Sequence, residues 1–213
     1  MERRFLSAEA CPVGIEKRSD GSPVIAGYAS VFYVEGDAGT EYQLFPDLKE
    51  RIMPRAFNTA LRDKHNAAAL FNHDPNMILG RVAAGTLKLK KDMRGLRYEV
   101  DPPASRQDVV EAIRRGDVTG SSFGFRVLEQ KFKKEKLDDG AEMDVREIHS
   151  VELLDISPVV YPAYEGTSTA IRSAGDGADA RSAYDSWKQE AGKEQALAAK
   201  LAGYAERAKA VSE

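Results

Sequence analysis

Cysteine, histidine and long apolar runs are scarce in this 213-residue chain, and each scarcity excludes something. The one cysteine, Cys11, rules out an internal disulfide and a cysteine-cluster metal site. It reads as a small, partly buried residue near a strand, in a reducing compartment by default. No stretch approaches the roughly 18 consecutive apolar residues of a membrane-spanning helix, so no transmembrane segment is expected. The first ten residues carry charge and lack an apolar core of signal-peptide length. Charge of one sign is not in excess either. With 31 basic and 34 acidic residues the net charge is −3, which offers no field suited to nucleic acid or to a membrane surface. Three histidines make the search for an imidazole base short.

What is present is ordinary in amount and informative in pattern. Apolar residues are 42% and aromatics 8%, enough for one full domain plus an extension. Residues 3–34 read as two extended segments around a turn at 18–23, the second (24–32) rich in β-branched and aromatic residues. A polar loop is expected to about Pro46, then a helix near 55–64 behind Pro54, with Ala56, Phe57, Ala60 and Leu61 on one face. Ala67 to Phe71 predicts a short buried strand ending at Asn72-His73-Asp74-Pro75. Residues 78–82, 86–89 and 96–100 read as further strands, the last two joined by a turn at 91–95. Ser105 resembles an N-cap for a helix that carries Val109, Val110 and Ile113 and ends at Gly116. Phe123, Phe125 and Val127 alternate as in a half-buried strand. The charged run 129–144 reads as the solvated tip of a long hairpin that returns over 145–156. Many short strands with a few helices predict a mainly β, α+β fold, with an antiparallel barrel or sandwich preferred over a doubly wound sheet. From Ser173 the composition becomes linker-like to 181, and 182–213 predicts a helical tail. Leu197, Leu201, Tyr204, Ala208 and Val211 form a short heptad seam there, suited to docking on a partner.

One stretch invites chemistry. In residues 116–126 two serines, Ser121 and Ser122, sit between glycines where a helix ends and a strand begins. A serine nucleophile needs a neutral imidazole to take its proton and an acid to orient that imidazole. His65 ends a charged helix and suits the surface, and His149 lies in an alternating strand where an exposed position is open to it. His73, between Asn72 and Asp74, is where a loop can present a ring to a cleft. Asp155 and Glu152 are candidate acids. Asp155 lies between Leu154 and Ile156, so it is either at a strand edge or held for a reason, because a buried carboxylate must be paired. No second histidine stands at metal-ligand spacing from His73, and the glycine-containing runs lack the spacing and lysine of a phosphate loop. No cofactor and no metal are expected.

The stretches also recur in order: residues 27–32, 50–57, 70–74 with 79–81, 94–96, 120–125 and 154–163. Together they resemble the prohead maturation protease family of tailed bacteriophages, over about residues 3–172, a family akin in fold to the herpesvirus capsid protease assemblin. The resemblance implies a serine endopeptidase on an assemblin-like antiparallel β-barrel flanked by helices, covering 1–172. It puts the nucleophile on Ser122 of Ser-Phe-Gly-Phe, the base on His73 and the acid on Asp155, with Glu152 as rival because the family more often has glutamate. Arg55 departs from the usual Gly-Ala-Phe helix start. Tyr161-Pro162-Ala163-Tyr164 falls about where a backbone oxyanion contact would lie. The implied substrates are the scaffolding segment of the major capsid protein and the protease itself. The implied setting is the assembling procapsid in the bacterial cytoplasm, with a homo-oligomer in view and neither nucleic acid nor membrane as partner. The alternative is a non-enzymatic scaffold of the same fold.

Overall fold

The computed structural model describes residues 1–5, 7–62, 66–137, 139–161 and 174–211, without the side chains of 174–176 and 203–211. In chain order, β1 (Glu2–Phe5), β2 (Val13–Lys17) and β3 (Pro23–Val31) are followed by β4 (Glu41–Phe45), β5 (Leu48–Ile52) and helix α1 (Asn58–Arg62). Then come β6 (Ala68–Phe71), β7 (Asp74–Arg81), β8 (Leu87–Lys91), β9 (Gly95–Val100) and helix α2 (Gln107–Arg115). The long strands β10 (Gly120–Lys136) and β11 (Glu142–Val159) precede helix α3 (Ala174–Val211).

The β10–β11 hairpin organises the larger sheet. β1 lies on the outer side of β10, and β5 then β4 continue the sheet beyond β11. β6 pairs with the far end of β11, and β7 with β6. The smaller sheet has the order β2-β3-β9-β8. Period-two patterning explains why these segments are strands: in β9, Leu96, Tyr98 and Val100 are all buried while Arg97 and Glu99 are less so. Phe32, Phe57, Phe123 and Phe125 form a run of ring contacts with centroids 4.8–6.2 Å apart, which ties the start of β10 to the segment before α1.

Several expectations need correction. Among the described residues no closed barrel forms. The strands make two sheets, and β11 runs parallel to both β5 and β6, so the larger sheet is mixed. The polar segment before Pro46 holds β4, because Tyr42 and Leu44 alternate inward between polar neighbours. The N-terminal region holds three strands rather than two. The charged run is mostly strand: the hairpin arms extend to Lys136 and from Glu142. Its charges sit in pairs, Lys133 with Glu135 and Glu147, Lys134 with Glu142, and Arg51 with Glu135, and opposite charges on neighbouring strands favour pairing. Ser105 does not cap α2; the chain enters that helix through a 3-10 turn over Ala104–Arg106, behind the extended Pro103. Gly116 ends α2 as expected, at φ 81°, where a residue with a Cβ would be strained. α1 is shorter than expected, beginning at Asn58 after turns at 53–57, while 63–65 lie outside the described residues. The start of β10 is buried on both faces rather than half-buried.

The chain divides into two compact units, Met1–Gly177 and Ala178–Glu213. Residues 174–181, expected as a linker, already belong to α3, since alanine-rich sequence offsets the helix cost of about 1 kcal/mol per glycine. Leu197 and Leu201 of the heptad seam are each 59% exposed. The side chains of Tyr204, Ala208 and Val211 lie outside the described residues. Among the described residues no helix is long and apolar enough to cross a membrane.

Candidate active site

The β6–β7 hairpin turns in two residues. Phe71 pairs with Asp74, leaving Asn72 and His73 as the loop, with φ of 53° and 59°. Two central residues at positive φ make a type I′ turn, whose favoured sequence is Asn-Gly. Asn72 suits its place, whereas His73 stands where glycine is preferred, at a cost of roughly 1–2 kcal/mol. Three hydrogen bonds to the end of β11 hold the turn. Asn72 N donates to Pro158 O (3.0 Å), Val160 N donates to Asn72 Oδ1 (2.9 Å), and His73 N donates to Ser157 Oγ (3.1 Å).

That turn aims the His73 ring between two strands. Nδ1 lies 2.5 Å from Asp155 Oδ1, and Nε2 lies 2.7 Å from Ser122 Oγ. Asp155 is not at an edge. β11 is paired on both sides there, with Gly124 of β10 and Ala68 of β6 opposite Asp155. Its carboxylate also accepts from Ser157 Oγ (2.9 Å), two residues on and so on the same face of the strand. Ser122, His73 and Asp155 are 0%, 8% and 6% exposed. A carboxylate buried this far needs charge-assisted partners, and His73 and Ser157 supply them. With Nδ1–H donated to the carboxylate, Nε2 presents its lone pair to the Ser122 hydroxyl, the arrangement required of a general base.

The other candidates lie elsewhere. Ser121 shares its hydroxyl with Tyr98 OH at 2.9 Å, and its backbone N donates to Cys11 O. Glu152 meets Arg126 at 2.9 Å rather than His73. His149 is buried, not exposed, with Nδ1 accepting from Arg55 Nε and Nε2 near Glu147, both at 3.2 Å. His65 and residues 162–164 lie outside the described residues, and Tyr161 is exposed. Cys11 is fully buried, and loss of solvation pushes its thiol up to about 12, so it is no thiolate at neutral pH.

Three residues have roles in this geometry that a reading by motif does not supply. Gly124 is the first: a Cβ there would collide with Asp155 Oδ2, so only glycine leaves room for the carboxylate. A glycine inside a strand pattern does signal such close approach. Ser157 is the second, bridging Asp155 and the His73 backbone. Arg4 is the third. Its carbonyl oxygen lies 2.9 Å from Ser122 Oγ, through a pairing of β1 with β10 that no local pattern announces.

Beside the site β1 is pinned by a buried ionic cluster. Arg4 binds Glu50 through Nε (2.5 Å) and Nη2 (2.9 Å) and also binds Glu2. Arg146 binds Glu2 (2.8 and 2.9 Å), Glu50 (2.7 Å) and Gln130 (2.6 Å).

A family model described as caudovirus prohead serine protease matches residues 12–179, which include His73, Ser122 and Asp155. No curated protein and no solved structure matches the chain. The matched span is most of the molecule, and it contains the buried serine, imidazole and carboxylate in hydrogen-bonded sequence. The chain therefore belongs to the caudovirus prohead serine protease family and is a serine-type endopeptidase of capsid maturation.

Proposed function

We propose that Ser122 is the nucleophile, His73 the general base and Asp155 the acid that orients it, and that the peptide bonds cut lie in the scaffolding segment of the major capsid protein and in the protease itself. The observation that carries this reading is the unbroken chain Asp155 Oδ1–His73 Nδ1 (2.5 Å) and His73 Nε2–Ser122 Oγ (2.7 Å). His73 Nε2 takes the hydroxyl proton as Oγ attacks the peptide carbonyl carbon. Asp155 steadies the imidazolium that results. His73 then gives the proton to the departing amine, leaving an acyl-enzyme on Ser122. Water, deprotonated by His73, hydrolyses the ester and restores the hydroxyl.

The setting belongs to the same proposal: the procapsid in the bacterial cytoplasm, with the protease packaged among capsid proteins and able to pair with itself. The domain reading stands with it, a protease domain to about residue 172 and a helical tail beyond. The exposed Leu197 and Leu201 support a tail that docks on coat or scaffold helices, and removal of the tail by self-cleavage is the competing outcome. Kinship with the assemblin barrel is likewise part of the proposal.

Coexpression with the capsid protein tests the catalytic core. Native chain should process the coat and Ser122→Ala should leave it uncut. Equal processing by both would reduce the fold to an internal scaffold. A chain ending at Ser173 should be packaged poorly; packaging at the native level would refute the docking role.

A further inference from the structure

β1 contributes to the surroundings of the site yet precedes the matched family span, which begins at residue 12. It runs antiparallel to β10 with Phe5 opposite Ser122 and Arg4 opposite Phe123. The Phe5 ring stands edge-on to the His73 ring, centroids 5.7 Å apart at 78°, and Phe5 is itself buried. Ser122 has no exposed surface. A peptide carbonyl must approach a nucleophile to about 3–3.5 Å before it is attacked, and the covered Oγ offers no path for that approach.

The cover also acts on the proton. Ser122 has one hydroxyl hydrogen and two acceptors at hydrogen-bond distance, His73 Nε2 at 2.7 Å and Arg4 O at 2.9 Å. When the hydrogen points to the Arg4 carbonyl, the imidazole does not receive it. The strand that brings this carbonyl is held by the Arg4 and Glu2 contacts with Glu50 and Arg146. Phe5 follows that anchored stretch directly, at the end of β1.

We propose that β1 keeps the protease self-occluded: Phe5 is a cover over Ser122 and His73, and an extended peptide reaches Ser122 only when Phe5 swings off His73 about the anchored Glu2–Arg4 stretch. This rests on Ser122 as the nucleophile, so the test separates cover from catalysis. In a Ser122→Cys chain the rate of iodoacetamide modification at residue 122, located by peptide mapping, reads the cover alone. Native Phe5 should protect that thiol at least about tenfold relative to Phe5→Ala and by a larger factor relative to the urea-unfolded chain. The second comparison holds even if Phe5→Ala fails to fold. Phe5→Leu, which keeps an apolar cover, should stay close to native. With Ser122 in place, Phe5→Ala should raise fluorophosphonate labelling of Ser122 about tenfold or more. A residue-122 thiol that reacts in the native fold as fast as in urea overturns the cover, whatever the labelling shows. A thiol that opens in Phe5→Ala while Ser122 stays unlabelled in every variant leaves the cover intact, defeats the catalytic reading, and ends β1's role as a control on proteolysis.

Discussion

Next to Ser122, His73 and Asp155, the strands β1, β5 and β11 bury a second set of polar side chains: Glu2, Arg4, Glu50 and Arg146. Both clusters are out of water, and both draw on β1. They differ in how their hydrogens are allotted. In the ionic cluster two cations and two anions answer each other, and the donors named point at carboxylates or at Gln130. Burial alone would push the Glu2 carboxyl up, but Arg146 and Arg4 overcome it and hold it below the usual range. Burial would likewise pull the Arg4 guanidinium down, and Glu50 and Glu2 reverse that, raising it above the ordinary value. In the other cluster one hydroxyl hydrogen is shared between two acceptors, and a single carboxylate polarises the ring between them. Saturated charge makes an anchor, whereas an undersupplied hydrogen suits the proton transfer proposed for Ser122 and His73.

Removing members from each cluster should therefore give opposite phenotypes. Ser122→Ala should lower cleavage by about 10⁴-fold or more with little change in thermal midpoint. Asp155→Asn should cost nearly as much, on the order of 10⁴-fold in kcat, because the wrong tautomer faces Ser122; Glu152→Gln should stay within about twofold. If only Glu152→Gln abolishes cleavage, the acid has been misassigned. Arg146→Met leaves Glu2 and Glu50 short of a cation and should cost about 3–5 kcal/mol in urea unfolding, with the folded fraction still cutting substrate. A stable but inactive Arg146→Met would erase the contrast between the clusters. Gly124→Ala should lower kcat by roughly 10–100-fold with KM little changed, since the new methyl pushes the Asp155 carboxylate from His73.

The smallest effect concerns the hairpin. Glu135 is held down at about 2, chiefly by its hydrogen bonds with Arg51, which together with Lys133 outweigh the opposing cost of burial. A carboxyl depressed in the folded state adds stability that is complete above its unfolded value near 4.5 and is lost as pH falls toward 2. The difference in thermal midpoint between native chain and Glu135→Gln should be constant above about pH 5 and shrink toward zero near pH 2. A difference unchanged by acid would show that Arg51 does not depend on that charge.

How legible the molecule was in its residues varied with the range of the interaction. α2 announced itself by Val109, Val110, Ile113 and the terminating Gly116, all within about two helical turns. The β8–β9 hairpin followed from alternation around a turn in which the Asp92 side chain accepts from Arg94 N and Gly95 N. His73 was readable as a loop histidine. The hairpin arms were misjudged because a run of lysine and glutamate looks the same solvated or paired across strands. The acid was undecidable from local pattern. A bulge between Leu153 and Asp155 sets Glu152 opposite Arg126 and Asp155 opposite Gly124, two positions apart on β10 and so on one face, and only the place of the His73 turn says which acid it meets.

By itself, then, the sequence determined many of the elements, the family to which they belong and a short list of candidate residues, because periodicity and turn chemistry act over a few positions. The tertiary structure alone decided that Asp155 rather than Glu152 meets His73, that Gly124 makes room for it, that β11 pairs in parallel with β5 and β6, and that β1 pairs with β10 beside Ser122. Those outcomes depend on strand pairings between residues as far apart as Glu2 and Phe125, 123 positions, and no local preference encodes such a register.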